Sequence, residues 1–127
     1  MKPATILVVD DDECVRRFTL RALRSQGFHT LEAFDGNSGL ASFIHNRNTV
    51  DLVLSDIMMS GCSGPVMVEK ILRLEPCVRI AFASGTVGVE SLPEHLRHVP
   101  VLEKPFDSKG LTKFVNNCLE TVYMVNR

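Results

Sequence analysis

A doubly wound parallel α/β sheet is the fold this chain predicts, on three observations. Short, apolar, β-branched runs recur along the sequence, as suits strands buried on both faces. Segments with helical spacing of apolar residues alternate with those runs. Carboxylates stand at the ends of two of those runs, a hydroxyl at the end of a third and a lysine at the end of a fourth. A length of 127 residues sets the expectation of one domain over 1–127, with a core large enough to need neither disulfides nor a structural metal.

The elements follow in order. Thr5 to Asp10 is the first strand. Glu13 to Gln26 predicts a helix with Val15, Phe18, Ala22 and Leu23 on its inner side, stopped at Gly27. Phe28 to Ala33 is a weaker second strand, and Asp35 can cap a helix carrying Leu40, Phe43 and Ile44. Val50 to Asp56 is the third strand. After a loop from Ile57 to Ser63, Pro65 fits the first helical position of a segment with Met67, Ile71 and Leu74 on one face. Val78 to Ser84 is the fourth strand. Thr86 to His98 has apolar residues at Val89, Leu92 and Leu96, but Gly88 and Pro93 interrupt it, so helix four should be short or irregular. Val99 to Glu103 is the fifth strand. Asp107 or Ser108 then caps a last helix with Leu111, Phe114, Val115, Cys118, Leu119 and Val122 on one stripe, and Tyr123 to Arg127 should fray. Right-handed crossovers between such strands give one open sheet covered on both faces.

Composition excludes several functions. Hydrophobic residues make up 45% and charged residues 23%, an ordinary globular balance. A net charge of −1 argues against nucleic-acid binding through bulk positive charge. No apolar run reaches bilayer length, and the first run, Ile6 to Val9, is too short for a secretory signal, so membrane association is not expected. Cys14, Cys62, Cys77 and Cys118 form no C-x-x-C pair and read as reduced thiols of a cytoplasmic protein. His95 and His98 lack the neighbours of a metal site and read as surface or loop residues.

The chemistry is expected at the carboxyl ends of the strands, where doubly wound sheets bind ligands. Strand one ends in Asp10-Asp11-Asp12-Glu13, strand three in Asp56, strand four in Ser84-Gly85-Thr86, and strand five in Glu103-Lys104-Pro105. Two carboxylates about 4 Å apart repel by about 4 kcal/mol at an effective dielectric of about 20. Several in one crevice therefore call for a cation or protons, and a hard, oxygen-seeking ion such as Mg²⁺ suits them. The plainer reading of Asp11 or Asp12 is a helix cap, which needs one acid and not a run. If the strand order is 2-1-3-4-5, Asp56 stands one step from the acid run and one from Ser84. Lys104 is then two steps from Asp56, about 10 Å at the backbone, so the lysine should reach a group attached to Asp56 and not its carboxylate. A phosphoryl group on Asp56 would fill that gap, held by Mg²⁺, Lys104 and the Ser84 hydroxyl.

These residues resemble the receiver domain of two-component response regulators over nearly the whole chain, from Ile6 to about Val122. The resemblance is carried by Ile-Leu-Val-Val-Asp-Asp-Asp-Glu, by Asp56-Ile-Met-Met-Ser-Gly-Cys-Ser-Gly64, by Ser84-Gly85 and by Lys104-Pro105-Phe106. It implies a flavodoxin-like (βα)5 fold and a signalling phosphoacceptor, not an enzyme with turnover, that assists its own phosphoryl transfer and dephosphorylation. Asp56 would accept phosphate from a sensor histidine kinase or a histidine phosphotransfer protein. Asp10, Asp11 and Asp56, with the Met58 carbonyl, would hold Mg²⁺. Ser84 would be the switch hydroxyl, and Lys104 would sense the phosphate before a cis-proline. The face of helix four, strand five and helix five would contact partners, a second copy among them.

Three features depart from the family pattern: Ser60 stands where proline is usual, Val101 where an aromatic is frequent, and the stretch from Ser84 to Lys104 is short by a residue or two. The third, with Gly88 and Pro93 inside the stretch and with the Ser84-Gly85 and Leu102-Glu103-Lys104-Pro105-Phe106 segments, resembles receivers attached to hybrid sensor kinases. Two other readings compete. A phosphate-independent, receiver-like scaffold would suit the missing aromatic. A haloacid-dehalogenase-type phosphatase would use Asp10 and Asp12 as its D-x-D pair, but the chain offers no second acidic pair late in the sequence. A dinucleotide site fails for want of a Gly-rich loop after strand one.

Overall fold

The computed structural model describes residues 2–59, 61–85 and 89–120, the side chain of Val89 excepted. Five parallel strands, β1 (Thr5–Val9), β2 (His29–Ala33), β3 (Leu52–Asp56), β4 (Arg79–Ser84) and β5 (Val101–Glu103), form one sheet in the order β2-β1-β3-β4-β5. The strand order supposed from the sequence is therefore the one found. Four α-helices cover the sheet: α1 (Glu13–Ser25), α2 (Gly36–His45), α3 (Gly64–Leu74) and α4 (Ser108–Glu120).

Alternation along the strands sorts the core into two layers. On one face Leu7, Val9, Val53 and Phe82 meet Phe43 of α2 and Met67 and Ile71 of α3. On the other, Ile6, Val8, Leu54 and Ala83 meet Leu20 and Leu23 of α1 and Leu111 and Val115 of α4. The caps agree with the sequence reading. Asp35 accepts from the Ser38 amide at 2.7 Å, and Ser38 returns the bond in a capping box. Asp107, not Ser108, caps α4, accepting from the Gly110 amide at 2.7 Å.

Some inner-face assignments are corrected. Phe18, expected inside, is 43% exposed, and Ile44 and Leu74 also reach solvent. The buried residues of α1 are Thr19, Leu20, Ala22 and Leu23, so the helix is rotated to put Thr19 and Leu20 inward in place of Phe18. Phe18 instead lies against Phe106, ring centroids 6.1 Å apart.

Helix four is replaced, among the described residues, by two single 3₁₀ turns, Val89–Ser91 and Glu94–Leu96, so the five expected helices become four. Pro93 stands just before the second turn, with extended backbone at ψ 150°, and has no N–H to carry an α-helix through. Thr86, Gly88, Ser60, Val122 and Tyr123 to Arg127, all used in the sequence reading, lie outside the described residues. The segment is nonetheless anchored: Leu92 and Leu96 are each 1% exposed in the α2–α3 layer. Leu96→Ala should therefore cost about 2–5 kcal/mol of stability, as for other core leucines, in a urea titration. A loss below about 0.5 kcal/mol would mark an ordinary surface position instead.

Candidate functional site

The carboxyl edge of the sheet gathers the residues singled out by position. Asp10 continues β1: its amide donates to the Ala33 carbonyl at 3.2 Å. Its Oδ1 accepts from the Asp12 amide at 2.9 Å, which bends the chain away from the sheet. Asp12 is the N-cap of α1, its Oδ1 accepting from the Cys14 and Val15 amides at 2.9 and 3.2 Å. The capping reading of the acid run thus holds for Asp12 alone, which stands outside the cluster made by the other acids. Asp10, Asp11 and Asp56 each place a carboxylate oxygen within 4.8 Å of the others, with Asp11 exposed at the rim and the other two buried.

Asp56 ends β3 opposite Ala83 of β4, and the ladder runs one residue further, from the Ile57 amide to the Ala83 carbonyl at 3.2 Å. Its own carbonyl accepts from the Ser55 hydroxyl at 2.8 Å. The Met58 amide approaches Asp56 Oδ1 at 3.4 Å, while the Met58 side chain is exposed. Gly64, the first residue of α3, closes this loop, its amide donating to the Ile57 carbonyl at 3.2 Å. A methyl group on Gly64 would collide with the Asp56 carbonyl oxygen. That oxygen is backbone and cannot yield without moving the carboxylate. Gly64→Ala should thus cost about 1–3 kcal/mol and weaken any ligand of the Asp56 carboxylate. Unfolding and binding measured together would show whether both losses occur.

Ser84 ends β4, is buried, pairs with Glu103 and accepts through its carbonyl from the Lys104 amide at 2.7 Å. Its Oγ lies 3.5 Å from the Gly85 carbonyl. Lys104 precedes a cis Lys104–Pro105 bond. Its Nζ lies 3.0 Å from Asp10 Oδ2 and 3.3 Å from Asp56 Oδ2. This corrects the expectation that the lysine would fall short of Asp56. Counting strand spacings measures backbone separation in a flat sheet, whereas real sheets twist. The ion pair with Asp10, on the strand beyond Asp56, was not foreseen at all.

Charge and burial act against each other here. Burial raises the Asp56 pKa above the ordinary carboxylate range; Lys104 opposes that rise and the Asp10 charge adds to it. Burial would lower the Lys104 pKa, but its bond to Asp10 and the charges of Asp10 and Asp56 outweigh this and raise it. One ammonium thus serves two buried carboxylates, with a third at the rim. All three acids offer hard oxygen donors, and Asp11 opens the cluster to solvent. This donor set fits Mg²⁺, an ion that takes few carboxylates and keeps waters.

Five parallel strands in this order, with an acid cluster and a lysine at their carboxyl edge, define a flavodoxin-like α/β protein with its site at the switch point. The chain belongs to the response regulator receiver domain family, whose model matches residues 6–116. It is thus a signalling domain of two-component systems and not a classical enzyme. It is 32% identical over 120 residues to the sensor kinase CckA of Brucella abortus, covering 92% of this chain and 13% of that protein. It is 28% identical to the response regulator receiver protein CpdR of the same species, covering 90% of this chain and 95% of that one. Against the transcriptional regulatory protein GlrR of Escherichia coli it spans 27% of the relative's length. The chain therefore corresponds to a small part of the larger relatives and to nearly all of CpdR. Among solved structures, the receiver domain of the hybrid histidine kinase CckA superposes with a TM-score of 0.78 at 33% identity, over 92% of this chain and all of that one (100%). The receiver domain of NtrX from Brucella abortus gives 0.81 at 30%, over 92% and 99%. Among the described residues no helix is long and apolar enough to cross a membrane.

Proposed function

We propose that this chain, as one receiver unit over residues 1–127, accepts a phosphoryl group on Asp56 from the phosphohistidine of a sensor histidine kinase or a histidine phosphotransfer protein. The observation that carries this reading is the Lys104 ammonium bridging Asp10 and Asp56 beside a three-carboxylate cluster. Asp10, Asp11 and Asp56, with the Met58 carbonyl, would hold Mg²⁺. The ion would neutralise the crevice and draw negative charge from the oxygens in transfer.

The rest is done by this chain. An Asp56 carboxylate oxygen attacks phosphorus as the P–N bond to imidazole breaks, and the leaving imidazole takes a proton. Lys104 shifts from the carboxylate to a phosphoryl oxygen, and the Ser84 hydroxyl donates to another. The same groups would assist later hydrolysis of the acyl phosphate. The added charge, up to two units, pulls the loops after β4 and β5 inward. That alters the face made by the 3₁₀ turns, β5 and α4, and it is there that partners would respond. A homodimer through this face would be built mainly on β5 and α4, and sedimentation with and without beryllofluoride tests it. We place the domain in the cytoplasm and assign it no contact with nucleic acid or membrane.

Labelling by acetyl phosphate is the direct test. Uptake of one phosphoryl group, lost with EDTA and regained with Mg²⁺, is the expected result. A chain that binds neither Mg²⁺ nor beryllofluoride would instead be a phosphate-independent scaffold.

A further inference from the structure

Arg16 sits in the first turn of α1, at the end where the helix dipole disfavours a cation. Its side chain is nonetheless only 14% exposed. Two contacts account for this. Nη1 donates to the Asp10 carbonyl at 2.8 Å, and Nε donates to Glu32 Oε2 on β2 at 2.9 Å. The Asp10 carbonyl lies beyond the last residue of β1, where the chain turns away from the sheet. The guanidinium supplies a donor there. Glu32, on the edge strand, holds the guanidinium in place.

With this contact Asp10 is fixed at four atoms. Its amide is held by Ala33, its Oδ1 by the Asp12 amide, its Oδ2 by Lys104 and its carbonyl by Arg16. The carbonyl belongs to the peptide that joins Asp10 to Asp11. Rotation of that peptide would swing Asp11, the rim carboxylate, out of the cluster. Loss of the Lys104 contact would loosen a side chain, but loss of the Arg16 contact would loosen the backbone that aims Asp11, leaving it held by the bond from the Asp12 amide to Asp10 Oδ1.

We propose that Arg16, braced by Glu32, is a positioning residue for the metal crevice: it orients the Asp10–Asp11 peptide so that the Asp11 carboxylate meets the other two. This rests on the reading of the crevice as an Mg²⁺ site.

The test is Mg²⁺ affinity, followed by amide NMR shifts, in Arg16→Met, Arg16→Lys and Glu32→Gln, with thermal unfolding measured without metal. Arg16→Met keeps the apolar stem and removes the donors. It should weaken Mg²⁺ binding about 10-fold, or about 1.4 kcal/mol. Arg16→Lys, which retains one charged donor, should recover part of that loss. Glu32→Gln should weaken binding by less than Arg16→Met. Acetyl phosphate labelling of Arg16→Met should return toward the unmodified rate at saturating Mg²⁺, since no reacting group has been removed. Arg47, in the turn after α2, donates to the Leu74 carbonyl and Glu75 at the end of α3, and supplies a control away from the crevice. Arg47→Met should leave Mg²⁺ affinity unchanged. Equal Mg²⁺ affinity in Arg16→Met and the unmodified chain would overturn the positioning role alone. So would an equal loss in Arg47→Met, which would make the effect one of general stability. An unmodified chain that does not bind Mg²⁺ would overturn the crevice reading and this inference with it.

Discussion

Asp56→Asn is expected to reduce labelling by acetyl phosphate to background, a loss of at least about 100-fold, or about 2.7 kcal/mol in barrier. The amide keeps the shape of the carboxylate but has no anionic oxygen to attack phosphorus. The same substitution should stabilise the fold at neutral pH in the absence of metal. Folding raises the Asp56 pKa, chiefly through burial, so the folded chain binds a proton more tightly there than the unfolded chain does. Stability then falls as pH rises from the ordinary carboxylate value through the raised one, and the cost is present at pH 7. Asparagine removes it. Thermal unfolding in EDTA should show a higher midpoint for the variant and a flatter dependence on pH through the acid range. Undiminished labelling would place the acceptor elsewhere. A lower midpoint in EDTA would mean that the Lys104 contact outweighs the cost of burying the charge.

Lys104→Ala is expected to act in the opposite direction on stability. The ammonium is mostly buried and is shared by Asp10 and Asp56, which are themselves buried. Removing one partner of a buried pair typically costs about 3–5 kcal/mol, because the remaining charge is left uncompensated. Here two carboxylates lose their partner. Divalent cation should restore much of that loss, so the variant should show a larger Mg²⁺-dependent rise in unfolding midpoint than the unmodified chain. Its Mg²⁺ affinity should increase, since the lysine no longer competes for the same oxygens. Its conformational response to beryllofluoride, read by amide shifts on β5 and α4, should be small, because the group that on the proposed reading would link the phosphoryl oxygens to strand five is gone. A full response would remove Lys104 from the switching role, and weaker Mg²⁺ binding would contradict the competition.

Much of the site was legible because its residues stand at strand ends, and strand ends can be read from apolar runs. Asp10, Asp56, Ser84 and Lys104 needed only strand limits and a strand order to fall at one edge. Arg16 was not legible in that way. It is one of four arginines on α1, and helical spacing alone does not single it out. A cation in the first turn, against the dipole, was the one local hint. Pro65 was read as the first helical position, but α3 begins one residue earlier at Gly64, whose closeness to the Asp56 carbonyl depends on how the loop folds back. Phe18 was misplaced because periodicity gives the width of an apolar face and not its rotation against the sheet.

Sequence alone determined the fold class, the carboxyl ends of strands two to five, the interrupted fourth helix and the carboxylates and lysine of the crevice. These follow from local chemistry: β-branched runs, caps, and a proline where a helix would need an N–H. Tertiary structure decided that Lys104 reaches both Asp10 and Asp56, that Asp12 belongs to the helix and not the cluster, and that Arg16 and Glu32 brace the peptide before Asp11. Those are contacts between strands and helices distant along the chain. Their lengths are set by sheet twist and helix rotation, which the order of residues does not state.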